Sequence, residues 1–257
     1  QTVQKIIILV SNKLRKNVMF NYIGQFYIMT IGIVMLPFYL QYLGDEAYGM
    51  VGFFTALTAL MMLLDIGLSF TLSRETARLK DHASGNEELR LTLRSVESVI
   101  IIITFVVFVC IFYMSGWIST DWLKFEVLEH SKVVDCVKLM GFMIAIRWFI
   151  GLYQGVVQGL EQQVWLNVYK IIFYTLKFVG ALFLMIYVSN DIFHFFIYQA
   201  VISLIELLVL STKVYISLPY DRFLFPSITV LKKIFPFLYG KVPTSLFLYH
   251  LRVNESF

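Results

Sequence analysis

Four ionisable side chains, Asp65, Arg147, Lys177 and Glu206, interrupt stretches of sequence that are otherwise apolar. A charge at membrane depth costs roughly 2.5–3.5 kcal/mol on insertion scales, so such groups face a bundle interior or a hydrated cavity and mark substrate or ion pathways. Arg147 and Lys177 are suited to meet an anionic group; Asp65 and Glu206 are suited to take up a proton or a sodium ion. Counting from the nearest predicted helix ends puts Arg147, Lys177 and Glu206 near the midplane, with Asp65 closer to the cytoplasmic end. The same four residues also admit a purely structural reading as interhelical pairs, Arg147 with Glu206 and Lys177 with Asp65.

Residues three, four or seven apart share one face of a helix. On that spacing Thr55, Thr58, Asp65 and Ser69 form one polar line, and Arg147, Gly151, Gln154 and Gln158 a second. Asn167, Lys170, Tyr174 and Lys177 form a third, and Gln199, Ser203, Glu206 and Lys213 a fourth. A shorter line runs through Asn17, Asn21 and Gln25. We therefore take Arg147, Lys177, Lys170, Gln154 and Gln25 as the candidate substrate-binding set, and Asp65 and Glu206 as the candidate ion-coupling pair. Gly151, Gly155 and Gly159 repeat every four residues, a spacing that lets two helix backbones approach closely. A hinge at that point is the functional alternative. Pro37 is placed to kink the first helix.

The elements that carry these lines are membrane spans. Of 257 residues, 59% are apolar and 15% charged, where soluble domains have about 45–50% and about 25%; the mean hydropathy is +0.76. Six apolar stretches, at 18–42, 47–72, 95–117, 134–158, 165–188 and 192–215, are each long enough to cross about 30 Å of hydrocarbon as helix. They do not alternate as barrel strands would, and backbone groups in lipid must be satisfied within the segment. The expectation is thus an all-α membrane protein with six transmembrane helices. The third, with little polar beyond Thr104, is expected to be the most lipid-exposed.

Lysine and arginine set the orientation, because cytoplasmic loops retain positive charge. Thirteen lie within 5–16, 74–94 and 213–233, against Lys124 and Lys132 on the other side, which places the N-terminus in the cytoplasm. Trp117, Trp122, Tyr113, Trp165 and Tyr169 fall near the interfaces as anchors. The division expected is a cytoplasmic segment 1–17, a six-helix unit 18–216, a cytoplasmic linker 217–233, and from 234 a further apolar helix that looks interrupted at 257.

The net charge of +4 is spread over the ends of apolar runs, with no patch suited to nucleic acid. Two cysteines, Cys110 and Cys136, make neither a disulfide framework nor a metal spacing, and the four histidines have no ligand-spaced companions. No Walker A, HExxH, GxSxG or external DxD motif is present, so we expect no enzyme activity, metal or cofactor. No signal peptide is read at the start.

Three stretches carry a family resemblance. Leu36-Pro37-Phe38-Tyr39-Leu40-Gln41-Tyr42-Leu43-Gly44-Asp45-Glu46-Ala47-Tyr48-Gly49 closes the first helix into the turn before the second. Leu64-Asp65-Ile66-Gly67-Leu68, with Arg74 and Ala77, ends the second. Gln154-Gly155-Val156-Val157-Gln158-Gly159-Leu160-Glu161, with Asn167, links the fourth to the fifth. In order and spacing these resemble the polysaccharide-biosynthesis or O-antigen flippases of the multidrug/oligosaccharidyl-lipid/polysaccharide exporter superfamily, over about residues 12–240. The resemblance implies the N-terminal lobe of a two-lobed, MATE-like transporter in a bacterial inner membrane, working by alternating access. It implies an undecaprenyl-pyrophosphate-linked oligosaccharide as cargo for O-antigen or capsule synthesis, surrounding membrane lipid, and a glycan polymerase and chain-length regulator as partners. An ion-coupled drug or organic-cation antiporter of the same superfamily is one alternative. A membrane glycan polymerase or glycosyltransferase is another, although the longest external loop, 118–133, is short for one.

Overall fold

The computed structural model describes residues 2–65, 67–82, 85–123, 125–218 and 225–232; the side chains of residues 2–17 and 62–65 lie outside that description. The expected start of a seventh helix at 234, and residues 219–224 and 233 of the linker before it, also fall outside. Every described element is helical: α1 (Thr2–Leu43), α2 (Asp45–Asp65), α3 (Leu68–Leu79), α4 (Gly85–Trp117), α5 (His130–Gly159), α6 (Gln163–Thr175), α7 (Ala181–Tyr187) and α8 (Ile192–Ser217). Two π-helical segments are inserted: Ile118–Leu123 continues α4, and Leu176–Gly180 joins α6 to α7.

The all-α expectation therefore holds among the described residues. Four helices there are long and apolar enough to cross a membrane: Val18–Leu43, Gly85–Leu123, Gln163–Tyr187 and Ile192–Ser217. The other two expected spans are helical but differ in character. The stretch 47–72 is divided into α2 and α3 about Gly67, and α5 carries Lys132, Asp135, Lys138 and Arg147 while serving as the hub of the bundle. It packs against α2, α3, α4, α6 and α8. Helix α1 runs continuously from Thr2 through residue 18.

The helices alternate between two ends. At one, α1 turns into α2 through Gly44, whose φ of +79° is a left-handed conformation that glycine adopts without a Cβ clash. The same end holds residues 125–129 and the turn before α8, where the Asp191 carboxylate caps the helix by accepting from the Phe193 N–H at 2.9 Å. The other end gathers the α3–α4 and α5–α6 turns and the end of α8. There Lys80 reaches Glu161 at 2.6 Å, and Arg90 donates from Nε to the Leu218 carbonyl at 2.8 Å.

Two of the three packed clusters among the described residues sit at opposite ends of this axis. Leu72, Leu89, Leu93, Leu152, Val156 and Leu210 fill the Gly159 end; Met50, Cys136, Met140, Met185 and Phe196 fill the Gly44 end. The glycine spacing on α5 does the packing work that was expected of it. A Cβ at Gly155 would stand 2.5 Å from the Ser69 carbonyl oxygen, and one at Gly159 would stand 2.5 Å from Cβ of Thr76. Only hydrogen at these two positions lets α3 lie against α5.

Among the four apolar spans α1 is the least covered by the rest of the chain, with the third expected span close to it. Of the most apolar window of α1 17% is buried, against 22% for the helix containing residues 95–117. The reason is packing: α1 touches α2, α6 and α7 along one face, leaving Tyr22, Phe26, Met29 and Ile33 uncovered. The other helix buries Glu97 as well as Thr104. Glu97 accepts from the hydroxyls of Tyr153 and Tyr215, both at 2.7 Å, a polar contact hidden in a segment that reads as apolar.

Glu46, in the turn motif, holds the α4–α5 loop. Its carboxylate accepts from the backbone N–H groups of Glu126 (2.9 Å), Val127 (2.9 Å) and Leu128 (3.0 Å). Partial loss of water opposes ionisation, but these three donors outweigh it and hold the carboxyl below its ordinary range. A group with a depressed folded pKa contributes stability above its unfolded pKa of about 4.3 and loses it as pH falls through the folded value. Glu46→Gln is accordingly expected to be less stable at pH 7 and to show a flatter acid-side fall in melting temperature. Parallel wild-type and variant curves below pH 5 would show that the carboxylate does not hold the loop.

Candidate functional site

Side chains from six elements converge between the two cores. On α5, Arg147, Gly151 and Gln154 share a face; on α6, Lys170 and Tyr174 share another, one turn apart. They line a lower cavity of about 230 Å³, toward the Gly159 end, together with Gln25 of α1 and Glu206 of α8. An upper cavity of about 310 Å³, toward Gly44, is lined by Tyr39, Phe54, Thr55, Thr58, Lys177, Phe178, Phe195 and Gln199. Arg147 and Tyr174 line both cavities and form a common wall, with the Arg147 guanidinium donating to the Tyr174 hydroxyl at 3.5 Å.

Lys177 and Glu206 make the ion pair that crosses this wall. Lys177 Nζ lies 2.5 Å from Glu206 Oε2, with the lysine facing the upper cavity and the carboxylate the lower. Glu206 is thus paired with Lys177 where Arg147 was expected from helix faces, and the pair expected of Lys177 with Asp65 is not described. Spacing tells which residues share a face but not which helix lies opposite, and α8 packs directly on the π-helical segment that carries Lys177. The Asp65 side chain lies outside the described residues.

The π-helical segment is locally expensive, because a wider turn leaves backbone carbonyls with poor intrahelical partners and lipid supplies none. Three side chains meet that need. The Leu176 carbonyl accepts from the Tyr198 hydroxyl at 2.8 Å, that of Lys177 from the Gln199 amide at 2.9 Å, and that of Phe178 from the Tyr39 hydroxyl at 2.9 Å. Lys177 is thereby fixed at the junction of α1, α6, α7 and α8. Irregular helix turns of this kind recur at functional positions.

Of the seven residues singled out in the sequence, six are therefore brought together. The charge balance is uneven: Arg147, Lys170 and Lys177 face these cavities with Glu206 as the single described carboxylate. Glu206 is claimed by Lys177, so Arg147 and Lys170 have no carboxylate partner among the described residues. An anion with several oxygens is a ligand that such a pair of cations can hold, the guanidinium in bidentate fashion.

The profile of the family described as "Polysaccharide biosynthesis protein" matches residues 14–247. The chain belongs to that family. It is also similar to a Shigella flexneri protein named as a candidate O-antigen transporter, with 26% identity over 155 residues. That alignment takes in 60% of this chain and 36% of the relative, so the chain spans little more than a third of the relative's length there. No solved structure matches the chain. In this polysaccharide biosynthesis protein the turn motif thus has a structural job, through Glu46, while the cationic wall is built from residues in the helix interiors.

Sequence reasoning left Tyr39, Tyr174, Phe178 and Gln199 out of the site. Tyr174 and Gln199 already lay on the polar lines, so spacing was the available signal. Tyr39 and Phe178 carried none, because an aromatic in an apolar span is indistinguishable from packing until the cavity beside it is seen.

Proposed function

We propose that this family member is a non-enzymatic flippase, a multi-pass protein of a bacterial inner membrane that moves an undecaprenyl-pyrophosphate-linked oligosaccharide from the cytoplasmic to the outer leaflet. The observation that carries the reading is the excess of cations lining the two cavities among the described residues: Arg147, Lys170 and Lys177 against Glu206. A pyrophosphate diester brings two negative charges and non-bridging oxygens for bidentate donors. In this reading the chain supplies the N-terminal lobe with a cytoplasmic N-terminus, a second lobe completes the transporter, and rocking about the midplane exposes the site alternately. Glu206 and Asp65 are the ion-coupling candidates, and a glycan polymerase and chain-length regulator take the product onward. An organic-cation antiporter fits less well, since its cargo would meet Arg147 and Lys170, like charges that no carboxylate among the described residues pairs.

The test is transfer of a fluorescent polyprenyl-pyrophosphate glycolipid across proteoliposomes containing the full chain. Arg147→Gln with Lys170→Gln is expected to lower the protein-dependent rate at least about tenfold, about 1.4 kcal/mol or more of lost stabilisation, with folding intact by circular dichroism. Equal rates for wild type and the double variant would sink the cationic site.

A further inference from the structure

The end of the bundle opposite Gly44 holds a cluster of polar side chains that neither cavity uses. Glu97 of α4 is buried there and accepts from the hydroxyls of Tyr153 on α5 and Tyr215 on α8. The Tyr215 ring lies under two guanidinium groups, with Arg90 at 4.9 Å and Arg94 at 5.2 Å from its centroid. Arg90 also donates to the Tyr215 carbonyl at 3.1 Å and to that of Leu218 at 2.8 Å. Carbonyls at a helix C-terminus have no partner within the helix, and a basic side chain is a natural cap for them. Because α8 packs chiefly on α5, the side chains of α4 reach its end from a second direction.

The same helix takes hold of the chain again at Ser227. The Ser95 hydroxyl, fully buried, gives its proton to the Leu91 carbonyl at 2.7 Å and accepts from the Ser227 N–H at 2.9 Å. Residues 228–232 are then helical, and Val230 packs against the core that contains Leu93, Val96 and Leu218. Arg90 and Ser95 are about 7.5 Å apart along α4. The end of α8 and the start of the next helix are therefore fastened to one short stretch of a single helix.

We propose that Arg90, Ser95 and Glu97 form a clamp that seats the helix beginning at Ser227 on α4, so that it moves as one body with α8. The joint to whatever follows then lies beyond the clamp and not between residues 218 and 227. A displacement of the following segment is delivered to α4 and, through Glu97, to Tyr153 and Tyr215. Tyr153 adjoins Gln154 of the lower cavity, and Tyr215 lies about 14 Å along α8 from Glu206. In the two-lobed flippase reading, on which this use of the clamp rests, motion of the second lobe reaches the cationic site through side chains instead of being absorbed in a slack linker.

The experiment is pulsed electron paramagnetic resonance on the full chain in lipid nanodiscs, with spin labels at Phe105 and Thr229. Both positions are exposed; Cys110→Ala removes the exposed native thiol, and Cys136 is buried. Wild type is expected to give one narrow distance. Insertion of Gly-Ser-Gly-Ser between Tyr220 and Asp221 is expected to leave it unmoved, because both flanks are held; a linker that itself positions the next helix would pass the added length on. Arg90→Gln with Ser95→Ala is expected to broaden the distribution to about twice its width, as a segment tethered only by flexible chain samples a larger volume. A shifted or broadened distance after insertion alone, or an unchanged distance in the folded double variant, would overturn the clamp. Should the double variant not fold, the insertion alone decides. Glycolipid transfer in proteoliposomes tests the coupling: the insertion is expected to keep it within about twofold of wild type, and the insertion with the double variant to lower it at least about tenfold. Equal transfer by both would overturn the coupling. No transfer by wild type would overturn the flippase reading and leave the distances to decide the clamp.

Discussion

Lys177→Met is expected to destabilise the bundle by about 3–5 kcal/mol, the range for breaking one side of a buried ion pair. Glu206 is 4% exposed and Lys177 is its ion-pair partner at 2.5 Å; with methionine in place of lysine the carboxylate stays in an apolar bundle without a counter-charge. The double variant Lys177→Met with Glu206→Met should regain most of that loss, because replacing both members by apolar groups of similar volume removes the desolvation penalty together with the attraction. Thermal unfolding in detergent checks both. Transport separates structure from function: if the pair only holds the bundle, the stable double variant moves cargo normally. The flippase reading expects it to fold and to lose transport at least about tenfold, since Lys177 faces the upper cavity beside Arg147. A double variant as unstable as the single one would mean that the pair is not the dominant interaction at Glu206.

Gly159→Ala is expected to produce the second large effect. Its methyl group would fall on the Ser73 carbonyl oxygen and stand 2.5 Å from Thr76 Cβ. These are a backbone atom and the first side-chain carbon of α3, neither able to swing away, so the helix itself must move. Overpacking of this kind costs typically about 1–3 kcal/mol, and the shift would propagate into the core at Leu72, Leu152 and Val156. Loss of monodisperse protein and a lowered melting temperature are the expected readouts. Wild-type stability with lost transport would assign Gly159 to a hinge, the alternative that its spacing alone left open.

How much of this was legible in sequence follows from what each signal measures. The Gly-x-x-x-Gly spacing foretold a close helix contact because the absence of a side chain acts locally, whichever helix arrives. The polar lines foretold that Arg147, Gln154, Lys170 and Glu206 would face inward, because the expense of a charge in lipid is a property of the residue and its depth. Glu97 was missed for the complementary reason: it sits at the edge of a long apolar run, where a charge ordinarily reaches water, and only the arrival of Tyr153 and Tyr215 buries it.

Partner choice was not legible. That Lys177 pairs with Glu206, and that Arg147 is left to Tyr174, depends on α8 lying against the π-helical segment. The segment itself is set by donors from distant elements, Tyr39 on α1 and Tyr198 and Gln199 on α8. The amino-acid sequence by itself determined the solvent, the helical class and the polar faces of the helices, all of which rest on transfer energies and on spacing along one helix, while the family rests on the order of its motifs. The tertiary structure alone decided which charges neutralise each other, where the cavities lie and which aromatic rings wall them. Those depend on distances between helices, and helix periodicity carries no information about the distance to a neighbour.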